Sequence, residues 1–257
     1  MKMLTAADRR VLVTAGAGGI GLAIVEALVE AGAKVHICDV DTPALEACRV
    51  RLGVTTSVAD ISDDEAVDRL FADAQQALGG LDGLVNNAGI AGPTGPVEEL
   101  SPADWRRCVE IDLVGQFLCA RRAVPLIKAA GGGAIVNMSS SAGRHGYAFR
   151  TPYAAAKWGV IGLTQSLAKE VGPAGIAVNA ILPGIVRGPR MEGVIRARAG
   201  QLGVSYEEME QEYLSRVSLR RMVSQQDVAH MVLFLLSPLG ANISGQSIGV
   251  CGNVETL

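Results

Sequence analysis

The sequence predicts an α/β fold, a doubly wound parallel sheet with helices on both faces. Three observations carry this expectation. Short apolar runs alternate with amphipathic stretches along all 257 residues, as repeated strand–helix–strand units require. The runs are almost continuously apolar, which fits strands buried on both faces of a sheet. Glycine is over-represented, with 31 in the chain, and several cluster at the end of the first apolar run. No linker, repeat or low-complexity segment interrupts the pattern, so residues 1–257 read as one domain.

The elements follow in order. Residues 11–13 form a strand that runs into glycines, and residues 20–31 a helix that Gly32 ends as its C′ residue. A second strand (35–38), a helix (43–52) and a third strand (54–58) come next. Ser62 is expected to cap a helix reaching about residue 78, with Glu65 completing a capping box. A fourth strand contains Leu84 and Val85. Ser101 and Pro102 open a long helix over about 103–129, as N-cap and first-turn proline. Gly131, Gly132 and Gly133 break the chain before a fifth strand (134–138). A helix (153–171), a sixth strand (176–182), a late helix (225–236) and a last strand (247–250) complete the alternation. Residues 188–216 stand apart, being charged, rich in Met and Arg, and helical in pattern. They read as an inserted lid over a site at the carboxyl ends of the strands.

Charge and cysteine usage exclude several classes. A formal net charge of −3 gives no basic surplus for nucleic acid or an anionic membrane. The longest apolar stretch, residues 11–25, contains Thr14 and several glycines and lies between Arg10 and Glu26, short of a membrane span. Asp8, Arg9 and Arg10 interrupt the N-terminus as a signal peptide. Cys38, Cys48, Cys108, Cys119 and Cys251 form no CxxC pair, so neither a disulfide framework nor a metal site is expected. The reading is a cytoplasmic protein without metal, nucleic-acid or membrane partners.

Residues 14–21 read Thr-Ala-Gly-Ala-Gly-Gly-Ile-Gly between a strand and a helix. Glycines there let the backbone approach a pyrophosphate, and the helix N-terminus presents unpaired N–H groups to it. Gly16, Gly19, Ile20 and Gly21 are the candidate contacts. Asp39 closes the second strand, where a carboxylate accepts bonds from ribose hydroxyls and repels a 2′-phosphate. No Lys or Arg stands at 15–21 or 40–42, so NAD is favoured over NADP.

Tyr153 and Lys157 lie four apart on a helix and share one face. A cation beside a tyrosine stabilises its phenolate and suits it to proton transfer. Ser140, just after the fifth strand, sits at the sheet edge where open α/β folds bind ligands.

With these residues in place the chain resembles the short-chain dehydrogenase/reductase family over essentially its whole length. The matching elements are Thr14 to Gly21, Asp39, Asp60, Asn86-Asn87-Ala88-Gly89, Ser140, Tyr153 with Lys157, and Pro183-Gly184. The resemblance implies a Rossmann-type sheet of seven parallel strands ordered 3-2-1-4-5-6-7. It implies that Asp60 and Ile61 contact adenine, that Asn87, Ala88 and Gly89 line the cofactor channel, and that Pro183, Gly184 and Val186 hold the carboxamide. Tyr153 would be the acid/base, Lys157 would bond the nicotinamide ribose, and Ser140 would polarise the substrate oxygen. Family members are commonly homotetramers that pair the long helices, here about 103–129 and 153–171.

Three positions depart from the family pattern. Ala15 replaces the first glycine, with Gly16 expected to absorb part of the turn. Asp112 replaces the Asn that joins the catalytic relay; its charge favours the ammonium of Lys157, unless only its backbone matters. Gly188 replaces a Thr that contacts the carboxamide.

The implied activity is NAD-dependent interconversion of a secondary alcohol and a ketone, with a small-molecule substrate. The substrate wall is expected from Ser140, Ser141, Arg144, His145, Phe149, Arg150, Arg187, Arg190 and Met191. The arginines suggest a hydroxy acid or polyol. An NADP-linked carbonyl reductase and a catalytically weakened nucleotide sensor are the alternatives.

Overall fold

A computed structural model describes residues 4–254 of the chain, with the side chains of Arg190, Ala197 and Gln201 outside that description. Seven strands form one parallel sheet in the order β3-β2-β1-β4-β5-β6-β7. They are β1 (Arg10–Thr14), β2 (Lys34–Asp39), β3 (Thr55–Val58), β4 (Gly83–Asn86), β5 (Gly133–Met138), β6 (Ile176–Pro183) and β7 (Ser247–Val250). The order reverses between β1 and β4, and the crevice at their carboxyl ends is where such sheets bind ligands.

Side-chain alternation along each strand divides the interior into two layers. Val11 and Val13 face one layer, with α1 (Gly19–Glu30) and α9 (Gln225–Leu236) across from them. Leu12 faces the other, against α3 (Asp64–Leu78) and α5 (Gly115–Ala129), where Leu70, Phe71 and Ile127 are buried. The same alternation places Ile135 in the second layer and Val136 in the first. Helix α2 (Thr42–Leu52) adds Leu45 and Cys48 to the first layer.

Helix boundaries follow the predicted signals with two corrections. Asp63, not Ser62, caps α3, accepting bonds from the Glu65 and Ala66 N–H groups at 3.0 and 3.2 Å. The Ser62 hydroxyl is already committed to the Asp60 carboxylate at 2.6 Å, so the capping box does not form there. Capping boxes appear instead at Ser205 with Glu208 and Ser224 with Asp227. The long helix begins as predicted, with Ser101 as N-cap and Pro102 following. It is not regular throughout. Helix α4 (Pro102–Val109) passes into a π-helical stretch, Glu110–Val114, before α5. Such widened turns insert a residue into the ladder and cluster at functional sites; here the stretch holds Asp112, which is 0% exposed.

Helix α6 (Thr151–Val171) lies between β5 and β6 in the chain. The excursion expected at 188–216 is helical: α7 (Pro189–Leu202) and α8 (Tyr206–Ser215) enclose a small core of Ile195, Ala199, Met209, Leu214 and Met222. No helix among the described residues is long and apolar enough to cross a membrane.

One buried group makes the fold acid-sensitive. His36 on β2 is 2% exposed and lies between two hydroxyls of β3, Thr55 at 2.8 Å and Ser57 at 3.0 Å. Ser57 donates its proton to Asp73, so it accepts from Nε2–H of His36, and Nδ1 accepts from Thr55. Burial holds the ring at about 4, down from 6.5, against the pull of Asp73. Between those values the unfolded chain binds a proton that the folded chain refuses, so stability falls as the pH drops through the window. A loss of about 3 kcal/mol between pH 7 and 4 is expected from His36. Urea titrations at both pH values check this, and His36→Gln should flatten that part of the slope.

Candidate active site

The site is assembled at the carboxyl ends of β1, β4, β5 and β6. Thr14 ends β1 and ties it to β4. Its hydroxyl accepts bonds from the backbone N–H groups of Asn87 and Ala88, both at 3.0 Å. The Asn87 amide donates back to the carbonyls of Thr14 and Ala15. These bonds hold the glycine turn against the residues after β4.

The turn itself differs from expectation in one respect. Ala15, not Gly16, takes the left-handed conformation, with φ of +48°. An L-residue there costs about 1–2 kcal/mol relative to glycine. Gly16 keeps a different requirement, since a Cβ on it would stand 2.8 Å from the Ile37 Cβ. At Gly21 a Cβ would fall 2.0 Å from the Ala15 carbonyl oxygen, so helix and strand pack there as only glycine allows.

Helix α1 begins with Gly18 as N-cap, no side-chain cap and no acidic residue in its first turn. Its first N–H groups thus keep no side-chain acceptor and open onto a cavity of about 1180 Å³ lined by Gly18, Gly19, Ile20 and Gly21. This is the arrangement a pyrophosphate fits. Asp39 lines the same cavity. One of its oxygens accepts from the N–H groups of Val40 and Asp41, and the other from Ala17.

Further along the cavity lie Asn87, Gly89, Ser140, Tyr153 and Lys157, then Pro183, Gly184 and Val186. Tyr153 stands in the first turn of α6, and its hydroxyl has no hydrogen bond to a described residue. The Lys157 side chain is 5% exposed. Its ammonium donates to the Met138 carbonyl at 3.1 Å and lies 5.6 Å from the Tyr153 ring centre. The Ser139 hydroxyl donates to the Lys157 carbonyl at 2.8 Å, fixing α6 to the end of β5. Ser140 is half-buried, and its hydroxyl accepts from the Ala142 N–H at 3.2 Å.

Asp112 acts through its side chain as well as its backbone. One carboxylate oxygen accepts from the Ile90 N–H at 2.6 Å, and the other lies 3.8 Å from the Lys157 ammonium. Its backbone carbonyl accepts from Gln116, which also donates to Met138. Cys108 lies beneath this pair; burial first, and then the Asp112 charge, push its thiol up to about 11, so it is inert at neutral pH.

Not every predicted site residue reaches the cavity. Gly16, Ala88 and Asp112 stand behind its wall. Asp60 is engaged by Ser62 and by Arg107 at 3.3 Å; these bonds outweigh burial and hold its carboxyl below the usual range. Ile61 packs under Gly115, and neither it nor Asp60 lines the cavity. Arg144 and His145, expected in the substrate wall, also stand outside it. Arg144 is drawn to the Ser247 carbonyl on β7 at 2.7 Å. The Arg190 side chain lies outside the described residues. Arg150, Arg187, Phe149 and Met191 line the cavity as expected. Sequence reasoning missed Tyr147, Arg198 and Tyr213. Met209, Glu212 and Tyr213, spaced three and one apart on α8, carry a helical-face signal that could have marked them.

Fold and site together define a nicotinamide-dependent oxidoreductase, and the chain belongs to the short-chain dehydrogenase/reductase family. The family model described as enoyl-(acyl carrier protein) reductase matches residues 15–253. The chain is 38% identical over 256 residues to cis-4-hydroxycyclohexanecarboxylate dehydrogenase from Sinomonas cyclohexanicum, covering 96% of each protein. It superimposes on a crystal structure of levodione reductase with a TM-score of 0.90, at 32% identity, covering 96% of this chain and 97% of that one. A variant of actinorhodin polyketide ketoreductase solved with NADPH matches with a TM-score of 0.91, also at 32% identity, covering 98% of this chain and 100% of that one. The relatives are dehydrogenases and reductases of CH–OH and carbonyl groups, and this chain is an oxidoreductase of that class.

Proposed function

We propose that this protein oxidises a secondary alcohol to a ketone with NAD, and that the substrate is a hydroxy acid or polyol. The observation that carries the reading is the unbonded Tyr153 hydroxyl beside the buried Lys157 ammonium, in a cavity that begins at the glycine turn. Gly18 to Gly21 would hold the pyrophosphate, Asp39 the adenosine ribose, Lys157 the nicotinamide ribose, and Pro183, Gly184 and Val186 the carboxamide. The bound nicotinamide supplies a hydride acceptor. Ser140 and Tyr153 hold the substrate oxygen between them. Tyr153 takes the hydroxyl proton in oxidation and returns it in reduction. Lys157 steadies the phenolate that results, and Asp112, 3.8 Å from the ammonium, helps hold it in place.

NAD is preferred on the evidence of Asp39. The cavity residues at this end, Gly18 to Gly21 and Asp39, include no Lys or Arg. A 2′-phosphate brought against the carboxylate meets like charge, which costs several kcal/mol. A kcat/KM ratio for NAD over NADP of at least about 10² is therefore expected, and Asp39→Ala should cut it at least about tenfold. Formation of NADH or NADPH, followed with a panel of alcohols, polyols and hydroxy acids, tests both cofactor and substrate class. Equal use of the two cofactors by the wild type would return the NADP-linked reading.

The homotetramer is proposed from the family, whose members pair the long helices, here α4 to α5 and α6. Phe117 on α5 and Trp158 on α6, 47% and 50% exposed, offer apolar surface on those helices.

A further inference from the structure

The geometry points to Arg150 as the anchor for a carboxylate carried by the substrate, immediately beside Tyr153. Of the arginines the sequence offers for this task, Arg144 is held at the Ser247 carbonyl and lies outside the cavity. Arg150 lines the cavity and directly precedes α6. Its guanidinium carbon lies 5.1 Å from the centre of the Tyr147 ring and 4.8 Å from that of Tyr153. Stacking against two rings fixes the plane of the fork, which suits it to a planar carboxylate.

The hydrogen-bond inventory of this group is incomplete. A guanidinium has five N–H donors. Nη2 donates to the Ala91 carbonyl at 2.6 Å, Nε is buried with no partner, and Nη1 has no partner among the described residues. No carboxylate of a described residue forms an ion pair with it. The backbone before it is also strained. Phe149 takes φ of +64°, unusual for a bulky residue, and is held there by a bond from the Gly95 N–H to its carbonyl at 2.9 Å. Strain of this kind persists where it places a functional group.

The cation and the reacting hydroxyl share one ring stack. A carboxylate on Arg150 and a carbinol at Tyr153 must therefore belong to one compact molecule, a few bonds apart. A neutral polyol would leave the guanidinium unanswered. The substrate class is thus a small hydroxy acid, or its keto acid in reverse. This rests on the reading that Tyr153 handles the carbinol.

The first test needs no turnover. Thermal unfolding of the enzyme loaded with NADH is followed with benzoate and with uncharged benzamide. Benzoate should stabilise the wild type, benzamide should not, and Arg150→Gln should erase the difference while Arg150→Lys keeps part of it. The second test compares a hydroxy acid with its methyl ester. Arg150→Gln should lower the acid-to-ester ratio of kcat/KM about 10²-fold, mainly through KM. Equal effects of benzoate and benzamide on the wild type, or an unchanged ratio in Arg150→Gln, would overturn the proposal. If Arg150→Gln does not fold, the wild-type comparison and Arg150→Lys decide. Turnover without preference for acids sinks the anchor and leaves the dehydrogenase reading standing; benzoate stabilisation erased in Arg150→Gln and partly kept in Arg150→Lys, without turnover of any alcohol or ketone, does the reverse.

Discussion

Tyr153→Phe is expected to lower kcat by about 10³-fold or more while leaving the fold and cofactor binding intact. The magnitude follows from the role: a positioned acid/base contributes about 10²–10⁴-fold. The clean separation of activity from stability follows from geometry. The Tyr153 hydroxyl bonds no described residue, so deleting it strands no partner. The ring remains, and with it the contacts to Arg150 and Lys157 at 4.8 and 5.6 Å. The denaturation midpoint should thus shift by no more than about 0.5 kcal/mol, the usual scale for a substitution that breaks no buried contact. Steady-state kinetics, with NADH titration and thermal unfolding of the same preparation, check the three statements together. A variant with turnover within threefold of wild type would remove Tyr153 from the chemistry, whereas a wild type that binds NADH but turns over no alcohol or ketone would return the reading as a nucleotide sensor.

The sequence disclosed the parts of the fold that local chemistry determines. Ser101 with Pro102 begins a helix wherever the chain lies, and a glycine such as Gly32 ends one, so these boundaries agree. The cap at α3 was ambiguous because Ser62 and Asp63 are both capping residues. What decided between them was Asp60, which occupies the Ser62 hydroxyl. The π-helical stretch was invisible in the sequence, because Glu110 to Val114 carries no helix-breaking residue and its register depends on packing around the buried Asp112. The glycine turn, Ser140, Tyr153 and Lys157 were legible because spacing along β1, β5 and α6 places them at one sheet edge. The substrate wall was only half legible. Arg144 and Arg150 look alike in sequence, and only the fold shows that one reaches β7 and the other stacks between Tyr147 and Tyr153.

Lys157→Met is expected to cost about 3–5 kcal/mol of stability in addition to activity, and Asp112→Asn much less. Both residues belong to one buried pair, 3.8 Å apart, yet they are not equally placed. Lys157 lines the cavity, so its ammonium can still meet water or a bound ribose when Asp112 is neutral. Asp112 is 0% exposed and does not line the cavity, so removing Lys157 takes the opposite charge away from a carboxylate held out of bulk water. Asparagine at 112 also keeps an acceptor for the Ile90 N–H, a 2.6 Å bond that helps hold the residues after β4. The cost of Asp112→Asn should then be about 1 kcal/mol. For a chain of this size 3–5 kcal/mol corresponds to roughly 10 °C in Tm, well within calorimetric resolution. The double variant sharpens the test. With both charges gone no buried carboxylate faces a missing cation, so Lys157→Met with Asp112→Asn should be about 2 kcal/mol more stable than Lys157→Met alone. Simple additivity of the two losses would mean that the carboxylate does not answer the ammonium, and that Asp112 serves the site through other contacts, such as its bonds to Ile90 and Gln116.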